Sequence, residues 1–363
     1  MGHVRPFGEK DIPQVADLHR RVFRTDEGPS RPAAKSYPAY FQTVYLTNPW
    51  SDPQIPSLVY ENSTGVILGF LGVVPRPMSL RGRPLTAAVS SQFIVEPGDG
   101  SGMIAVHLAK TFLSGPQDLS LADEAGMATR KLCESLGGTT VLLYSLYWGR
   151  LLRPCQFGLS RCTRHRLLTP VKWAFGPLCR AADALAARFP LSPFRQSAPS
   201  VVGEVLTGGT LLTCLSECMG DWALRPEYDD QSLTWLLEVL TEKSGHGVLH
   251  PVLVRNAEGE RIGWYLYYQN PGGLGEVIQI GAKRRWTREV LAHLFHHAWR
   301  HGVAALSGRL EPSLIQELSE QSCFFHHRGF WVLAHSRKNE IVQTILRGDA
   351  YLTRLEGEWA LRF

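Results

Sequence analysis

The sequence holds no apolar run approaching about 18 residues, so no segment is expected to cross a membrane as a helix. Residues Met1 to Phe7 lack the apolar centre of a secretory signal, and Gly2 is not followed by the Ser or Thr that myristoylation prefers. A cytoplasmic protein is therefore expected. No two cysteines stand in CxxC spacing, which argues against a zinc ribbon. The seven cysteines (Cys133, Cys155, Cys162, Cys179, Cys214, Cys218 and Cys323) are odd in number and sparse, a pattern of a reducing compartment rather than of a disulfide scaffold. Cys214 and Cys218 have no histidine nearby and read as buried thiols. Charge of one sign is scarce as well. The net charge of +5 is spread along the chain, enough to favour an anionic ligand but too diffuse for nucleic acid.

What is present is the composition of a packed globular protein. Hydrophobic residues make up 44% and charged residues 20% of 363 positions, about two domains by length. One stretch, Ala88 to Ala122, organises the reading. Val89 to Val95 mixes β-branched and aromatic residues and predicts a strand, which Pro97 stops. Gly98, Gly100 and Gly102 free the backbone to turn, and Ile104, Leu108 and Phe112 then recur at the spacing of one helix face. A glycine turn feeding a helix start gathers N–H groups at the positive end of a dipole, a setting for phosphate or pyrophosphate. A plain tight turn between strand and helix is the alternative.

Ahead of that stretch, Val4-Arg5-Pro6 reads as a strand end and Ile12, Val15, Leu18 and Val22 as a helical stripe. Residues 25–38 read as a loop, and Ser57 to Val74 as a hairpin turning at Glu61 to Gly65. After it come a helix to Leu136, a strand over Thr139 to Tyr147, an amphipathic helix over Trp173 to Phe189, and a Pro/Ser-rich linker from Pro190 to Pro199. The second half repeats the first. Leu224-Arg225-Pro226 mirrors Val4-Arg5-Pro6, the turn at Asn256 to Gly259 mirrors that at Asn62 to Gly65, and Val277 to Ile280 mirrors Ser91 to Val95. Lys283-Arg284-Arg285-Trp286 stands where the first copy has its glycines. The expectation is an N-terminal domain over 1–165, a helical and Pro-rich linker over 166–200, and a degenerate C-terminal copy over 201–363.

The order strand, helix, hairpin, long strand, glycine turn, helix, strand, helix, strand resembles the GNAT (acyl-CoA N-acyltransferase) superfamily. Val4-Arg5-Pro6 with Asp11-Ile12, Val95-Glu96-Pro97 with the glycines, and Leu132-Cys133-Glu134-Ser135-Leu136-Gly137 carry the resemblance. It implies an α/β (α+β) fold of two tandem domains, each a central mixed, twisted sheet flanked by helices. It also implies acetyl-CoA or another acyl-CoA bound in a splay between the fourth and fifth strands, with no metal. Phe93, Ile94 and Val95 would then meet the pantetheine arm, and Gly98, Gly100, Ser101, Gly102 and Met103 the pyrophosphate. The chemistry implied is direct attack of an amine, or secondarily a hydroxyl, of a small molecule or saccharide on the thioester. Gly100 stands where the family usually has Arg or Gln, and Cys133 where it frequently has a Tyr acid.

Candidate catalytic groups are Asp123 and Glu124 after the fifth strand, Glu96 at a strand end, and Tyr144 in place of the family acid. Asp123 and Glu124 read equally as a helix-start pair. Ser90, Ser91 and Gln92 are polar within a strand expected to be buried, so they line a site or form a core network. Tyr37, Tyr40, Phe41, Tyr45 and Trp50 either roof an acceptor pocket or pack in the core. His293, His296, His297 and His301 lie within three turns of one helix, and His293 with His297, and His297 with His301, share a face, so a metal site is one reading, but no Glu sits between them in the zinc-protease pattern. Solvent or interdomain contact is their expected role. His326-His327-Arg328 reads as a helix end. An acyl carrier protein as donor (met by Arg81, Arg83, Arg150 and Arg153), aminoacyl-tRNA as donor, and a non-catalytic binding module stay open. The acceptor pocket is expected between the domains.

Overall fold

A computed structural model describes residues 2–23, 36–162, 169–189, 192–270 and 273–362. Residues 25–35 of the expected first loop and 166–168, 190 and 191 of the expected linker lie outside the described residues. The chain opens with β1 (His3–Pro6), α1 (Ile12–Phe23) and α2 (Ser36–Tyr45). A meander of β2 (Leu58–Glu61), β3 (Ile67–Leu80) and β4 (Arg83–Val95) leads into α3 (Ser101–Leu113) and β5 (Leu119–Ala125). Then come α4 (Met127–Ser135), β6 (Thr139–Thr140), β7 (Leu146–Leu151), α5 (Pro154–Cys162) and α6 (Thr169–Ala186). The next segments are β8 (Val202–Val205), α7 (Gly208–Cys218), β9 (Leu224–Pro226) and α8 (Asp230–Glu242). A second meander, β10 (Val248–Arg255), β11 (Arg261–Gln269) and β12 (Leu274–Ala282), precedes α9 (Thr287–Arg300) and β13 (Ala305–Arg309). The chain ends with α10 (Ile315–Glu320), β14 (Phe324–His327), β15 (Trp331–His335), α11 (Asn339–Leu346) and α12 (Glu358–Leu361).

Local chemistry accounts for the turns. Asn62 Oδ1 accepts the N–H groups of Thr64 and Val66, and Gly65 takes φ +81°, which closes the first hairpin. Arg81 and Gly82 both take positive φ, the requirement of the tight turn between β3 and β4. On α1 the buried residues are Ile12, Val15, Ala16, Leu18 and His19, and on α3 Ile104, Leu108, Ala109, Phe112 and Leu113. Each such Leu or Phe contributes about 1.5–3 kcal/mol on leaving water.

Two compact units result, and neither is a continuous half of the chain. The first holds Met1–Ser145, Trp222–Val239 and Gly329–Phe363, the second Leu146–Asp221 and Leu240–Arg328. The first sheet runs β1-β2-β3-β4-β5-β15-β6, with β9 paired to β3, and the second runs β14-β7-β13-β12-β11-β10-β8. The expected boundaries at 165 and 201 are thus corrected. β7 belongs between β13 and β14, and β15 belongs against β5 and β6, so each half of the chain gives a strand to the other unit's sheet. A flat contact on β7 fits this arrangement, since a Cβ at Gly149 would enter the Phe324 ring. The strand expected over Thr139 to Tyr147 is likewise divided between β6, a 3-10 turn and β7.

The pairing also shifts the repeat. Leu224-Arg225-Pro226 joins the first sheet beside Met78 to Leu80, and β8 occupies the position against β10 that β1 holds against β2. The segment expected as a linker is mostly structure of the second unit. Buried Asp183 of α6 accepts the Cys155 and Gln156 N–H groups at 2.8 and 3.0 Å and so caps α5. His326 and His327 lie in β14 rather than at a helix end. Among the described residues, no helix is long and apolar enough to cross a membrane.

Candidate active site

β4 and β5 run parallel but pair only from Ala87↔Leu119 to Val89↔Leu121. Beyond that point Ser90–Val95 and Ala122–Ala125 separate, which leaves the facing edge of β4 without its ladder. A bulge in β4, where Gln92 and Phe93 together face Leu71 of β3, bends the strand at the same level, and Gln92 takes φ +52° there. Positive φ is costly for a residue with a Cβ and persists only where its surroundings hold it. Here the displaced Gln92 N–H donates to Glu358 Oε1 at 3.0 Å, and Gln92 Oε1 lies 2.7 Å from His19 Nε2. Tyr45 donates to Ser91 Oγ at 3.1 Å, and Ser90 to Leu121 O at 3.2 Å.

The opened strands wall a cleft of about 360 Å³ within the first unit. His19 and Phe23 of α1, Ser90 to Phe93, Glu124, Thr129 of α4, Phe330, Glu358 and Arg362 line it. A narrow apolar groove, lined by Phe93, Phe112, Thr129 and Cys133, shares several of these walls. The side chain of Ile94 turns the other way and joins the core beneath α1 and α2, whereas Phe93 and Val95 pack with residues of α3.

The C-terminal segment closes the cleft, and sequence reading missed it. Asp123 Oδ1 accepts the Glu358 N–H at 2.5 Å, and Tyr40 donates to Leu361 O at 2.9 Å. Glu356 accepts from Tyr228 at 2.6 Å and from Thr353 N at 2.7 Å. Glu124 pairs with Arg362 at 2.7 Å and with buried Arg354 at 3.5 Å. Burial, with the charges of Asp123 and Glu124 behind it, lifts the Glu358 carboxyl to about 8, against the opposing pull of the Gln92 N–H and Arg362.

The residues expected to be catalytic divide. Glu124 lines the cleft but is held by two arginines. Asp123 is buried inside β5, not at a helix start, and serves as the acceptor that fixes α12. Glu96 pairs with Arg21 at 2.5 Å. Tyr144 is fully buried, donates to Ala350 O at 2.6 Å and accepts from Ala350 N at 3.2 Å, so it braces the core and is not part of the cleft wall. Tyr37, Phe41 and Tyr45 are core residues, and Trp50 lies over the buried Arg76 guanidinium at 3.9 Å. Burial drives the Cys133 thiol up to about 11, so it stays protonated beside the groove. Little in the local sequence marked Glu358, because only the fold brings it to β4.

The glycine loop fits an anion in shape. Gly98 and Gly100 take φ +150° and +87°, which favours glycine, and a Cβ at 98, 100 or 102 would meet open space. Gly100 precedes α3, whose residues Met103 and Ile104 bond back to Gly100 O. Ser101 N–H also bonds within the turn, to Gly98 O at 3.2 Å, which leaves Gly102 N–H as the first-turn donor turned to the loop's open side. In the second unit the matching turn is a short 3-10 helix, and Lys283 and Arg285 pair with Glu260 at 2.7 and 3.2 Å. The basic patch expected to greet a carrier protein is also reduced. Arg150 is buried over the Phe295 ring, Arg153 donates to Trp299 O, and Arg83 pairs with Glu340.

No protein-family model and no curated protein sequence matches the chain. Solved structures do. A probable N-acyltransferase from Enterococcus faecalis V583 aligns with TM-score 0.58 and 10% identity over 95% of this chain and 74% of that one. A GCN5-related N-acetyltransferase from Anabaena variabilis aligns with TM-score 0.57 and 11% identity over 92% and 72%. The N-myristoyltransferase of Saccharomyces cerevisiae, solved with myristoyl-CoA and inhibitors, aligns with TM-score 0.51 and 10% identity over 92% and 79%. At these identities the likeness establishes the fold, which is the GNAT fold that the sequence resembles.

Proposed function

Taking the GNAT fold as premise, we propose that the first unit transfers an acyl group from acetyl-CoA or another acyl-CoA to an amine, with Glu358 as general base. The observation that carries this reading is the cleft opened where the β4–β5 ladder stops, with the Glu358 carboxyl in its wall. The loop from Gly98 to Met103 receives the pyrophosphate, and the backbone from Phe93 to Val95 runs beside the pantetheine arm. Asp99 and Glu96 put negative charge near that loop, so its grip rests on N–H groups rather than on a cationic side chain.

An amine attacks as the neutral base and must shed one N–H proton as the C–N bond forms. A carboxyl with a pKa of about 8 is close to ideal for accepting it near neutral pH. The Glu358 carboxylate takes the N–H proton as the C–N bond forms, and the C–S bond breaks to release CoA thiolate. N–H groups on the unpaired edge of β4 are the donors available to the thioester oxygen. The protonated Glu358 carboxyl, near a thiol in acidity, can return the proton to the thiolate. The acceptor is an amine of a small molecule or saccharide, with transfer to a hydroxyl as the second possibility, and the setting is cytoplasmic. The second unit, with its cradle filled and its charges paired, serves as a copy that binds no CoA.

Isothermal titration with acetyl-CoA and longer acyl-CoAs, followed by thiol-release assays against a panel of amines, tests the reading. Saturable binding and amine-dependent thiol release are expected. No heat with any acyl-CoA ends the proposal.

A further inference from the structure

The histidines of α9 acquire a partner that their spacing did not reveal. His250 of β10 meets His297 and His301, and one ring nitrogen of each lies within 4.8 Å of the others. His293 is not part of this group. Its Nδ1 lies 2.9 Å from Tyr265 OH, and its ring fills the space a Cβ on Gly203 would need.

The hydrogen bonds around the rings select the tautomers of His250 and His301 and allow the matching one at His297. His301 Nδ1 lies 2.8 Å from His297 O, which can only accept, so that nitrogen carries the proton. His250 Nε2 lies 3.1 Å from Gln269 Oε1. The Gln269 amide is itself oriented, since its Nε2 donates to His301 O at 2.5 Å, so its oxygen faces His250 and takes that proton. His297 Nδ1 lies 3.0 Å from the Tyr267 hydroxyl, which can accept from it or donate to it, and acceptance leaves the lone pair on Nε2. Tyr267 also stacks on His250 with centroids 4.7 Å apart, so it orders two of the three rings. The nitrogens left with lone pairs are His250 Nδ1, His297 Nε2 and His301 Nε2, and no described hydrogen bond reaches them.

We infer that His250, His297 and His301 form a binding site for a divalent ion of zinc type. Neutral imidazoles are its natural ligands, and each ring here has the outer hydrogen bond that metal-ligating histidines need for orientation. Three nitrogens leave a fourth position of a tetrahedral ion for water or an exogenous ligand. Ligand nitrogens on such an ion stand about 3.4 Å apart. Small ring rotations, chiefly of exposed His301, close the remaining distance. The site is independent of the acyl-transfer reading.

The test uses the untagged full chain, stripped with chelator and gel-filtered. Zn²⁺ titration by calorimetry is expected to give one ion per chain, and Co²⁺ to give the visible spectrum of a tetrahedral nitrogen site. Gln269→Ala should weaken binding about 10–100-fold through lost ring orientation. His301→Ala, an exposed position that spares the core, should lose at least as much, with an unchanged melting temperature of the stripped protein as the check on folding. His296→Ala, on the same helix but outside the cluster, should bind as the parent does. No bound ion in the parent, or undiminished affinity in His301→Ala, overturns the inference.

Discussion

The carboxylate of Asp123 holds Glu358 by its backbone: Oδ1 accepts the Glu358 N–H at 2.5 Å, while Oδ2 fills the space a side chain at Gly357 would occupy. Asp123 is buried and Gly357 has an ordinary φ of −95°, so the glycine is required for contact rather than for φ, and the pair sets where the Glu358 carboxyl enters the cleft. Gly357→Ala should therefore cost about 1–3 kcal/mol of stability and lower activity. In an Asp123→Ala background the same change should be close to neutral. Thermal unfolding of the four proteins measures the coupling, and additive losses would show that the two residues act separately.

Tyr144 offers a sharp contrast between support and chemistry. Its hydroxyl both donates to and accepts from the Ala350 backbone, inside the core. Tyr144→Phe should destabilise the protein by about 1–3 kcal/mol, because the Ala350 groups lose their partner without access to water. Thiol release per folded molecule should be unchanged. A large fall in turnover at full folding would restore Tyr144 as the acid.

What was legible in the sequence was local. The stripes of α1 and α3, the hairpin at Asn62 to Gly65 and the glycine turn before Ser101 each follow from spacing or from a residue's own φ preference. Strand partnership is not local. β7 and β15 each carry apolar residues that suit either sheet, and only long-range pairing assigns them. Glu358 was hidden for the same reason: it is tied to Asp123 across 235 positions, and its perturbed acidity comes from burial that no neighbouring residue encodes. The repeat was read correctly at the meanders and misread at Leu224 to Pro226, where an Arg-Pro dipeptide matched β1 in letters while β8 matched it in pairing.

The glycine loop separates backbone need from ligand need. Gly100→Ala forces a Cβ into left-handed backbone and should cost about 1–2 kcal/mol. Gly102 has ordinary φ and open space, so Gly102→Ala should leave stability unchanged or slightly raised. Gly102→Trp should fold equally well yet abolish acyl-CoA binding by calorimetry. Undiminished binding in that variant would remove the loop from the cofactor site.

The carboxyl of Glu358 makes both activity and stability depend on pH. As a general base it acts only when ionised, so kcat/KM should climb about tenfold per unit at low pH and level off near pH 8. Glu358→Gln, which keeps an oxygen for the Gln92 N–H, should lose about 10²–10⁴-fold in turnover and lose this inflection, with acyl-CoA binding retained. The sign for stability is opposite. The folded protein keeps this proton up to about pH 8 while the unfolded chain releases it near an ordinary carboxyl pKa, so the folded state weakens as pH rises between those values. The Gln variant carries no such penalty. Its melting temperature should match the parent at pH 4.5 and exceed it at pH 8.5, as scanning calorimetry can measure. Equal melting at both values, together with an unchanged activity profile, would remove Glu358 from the role of base.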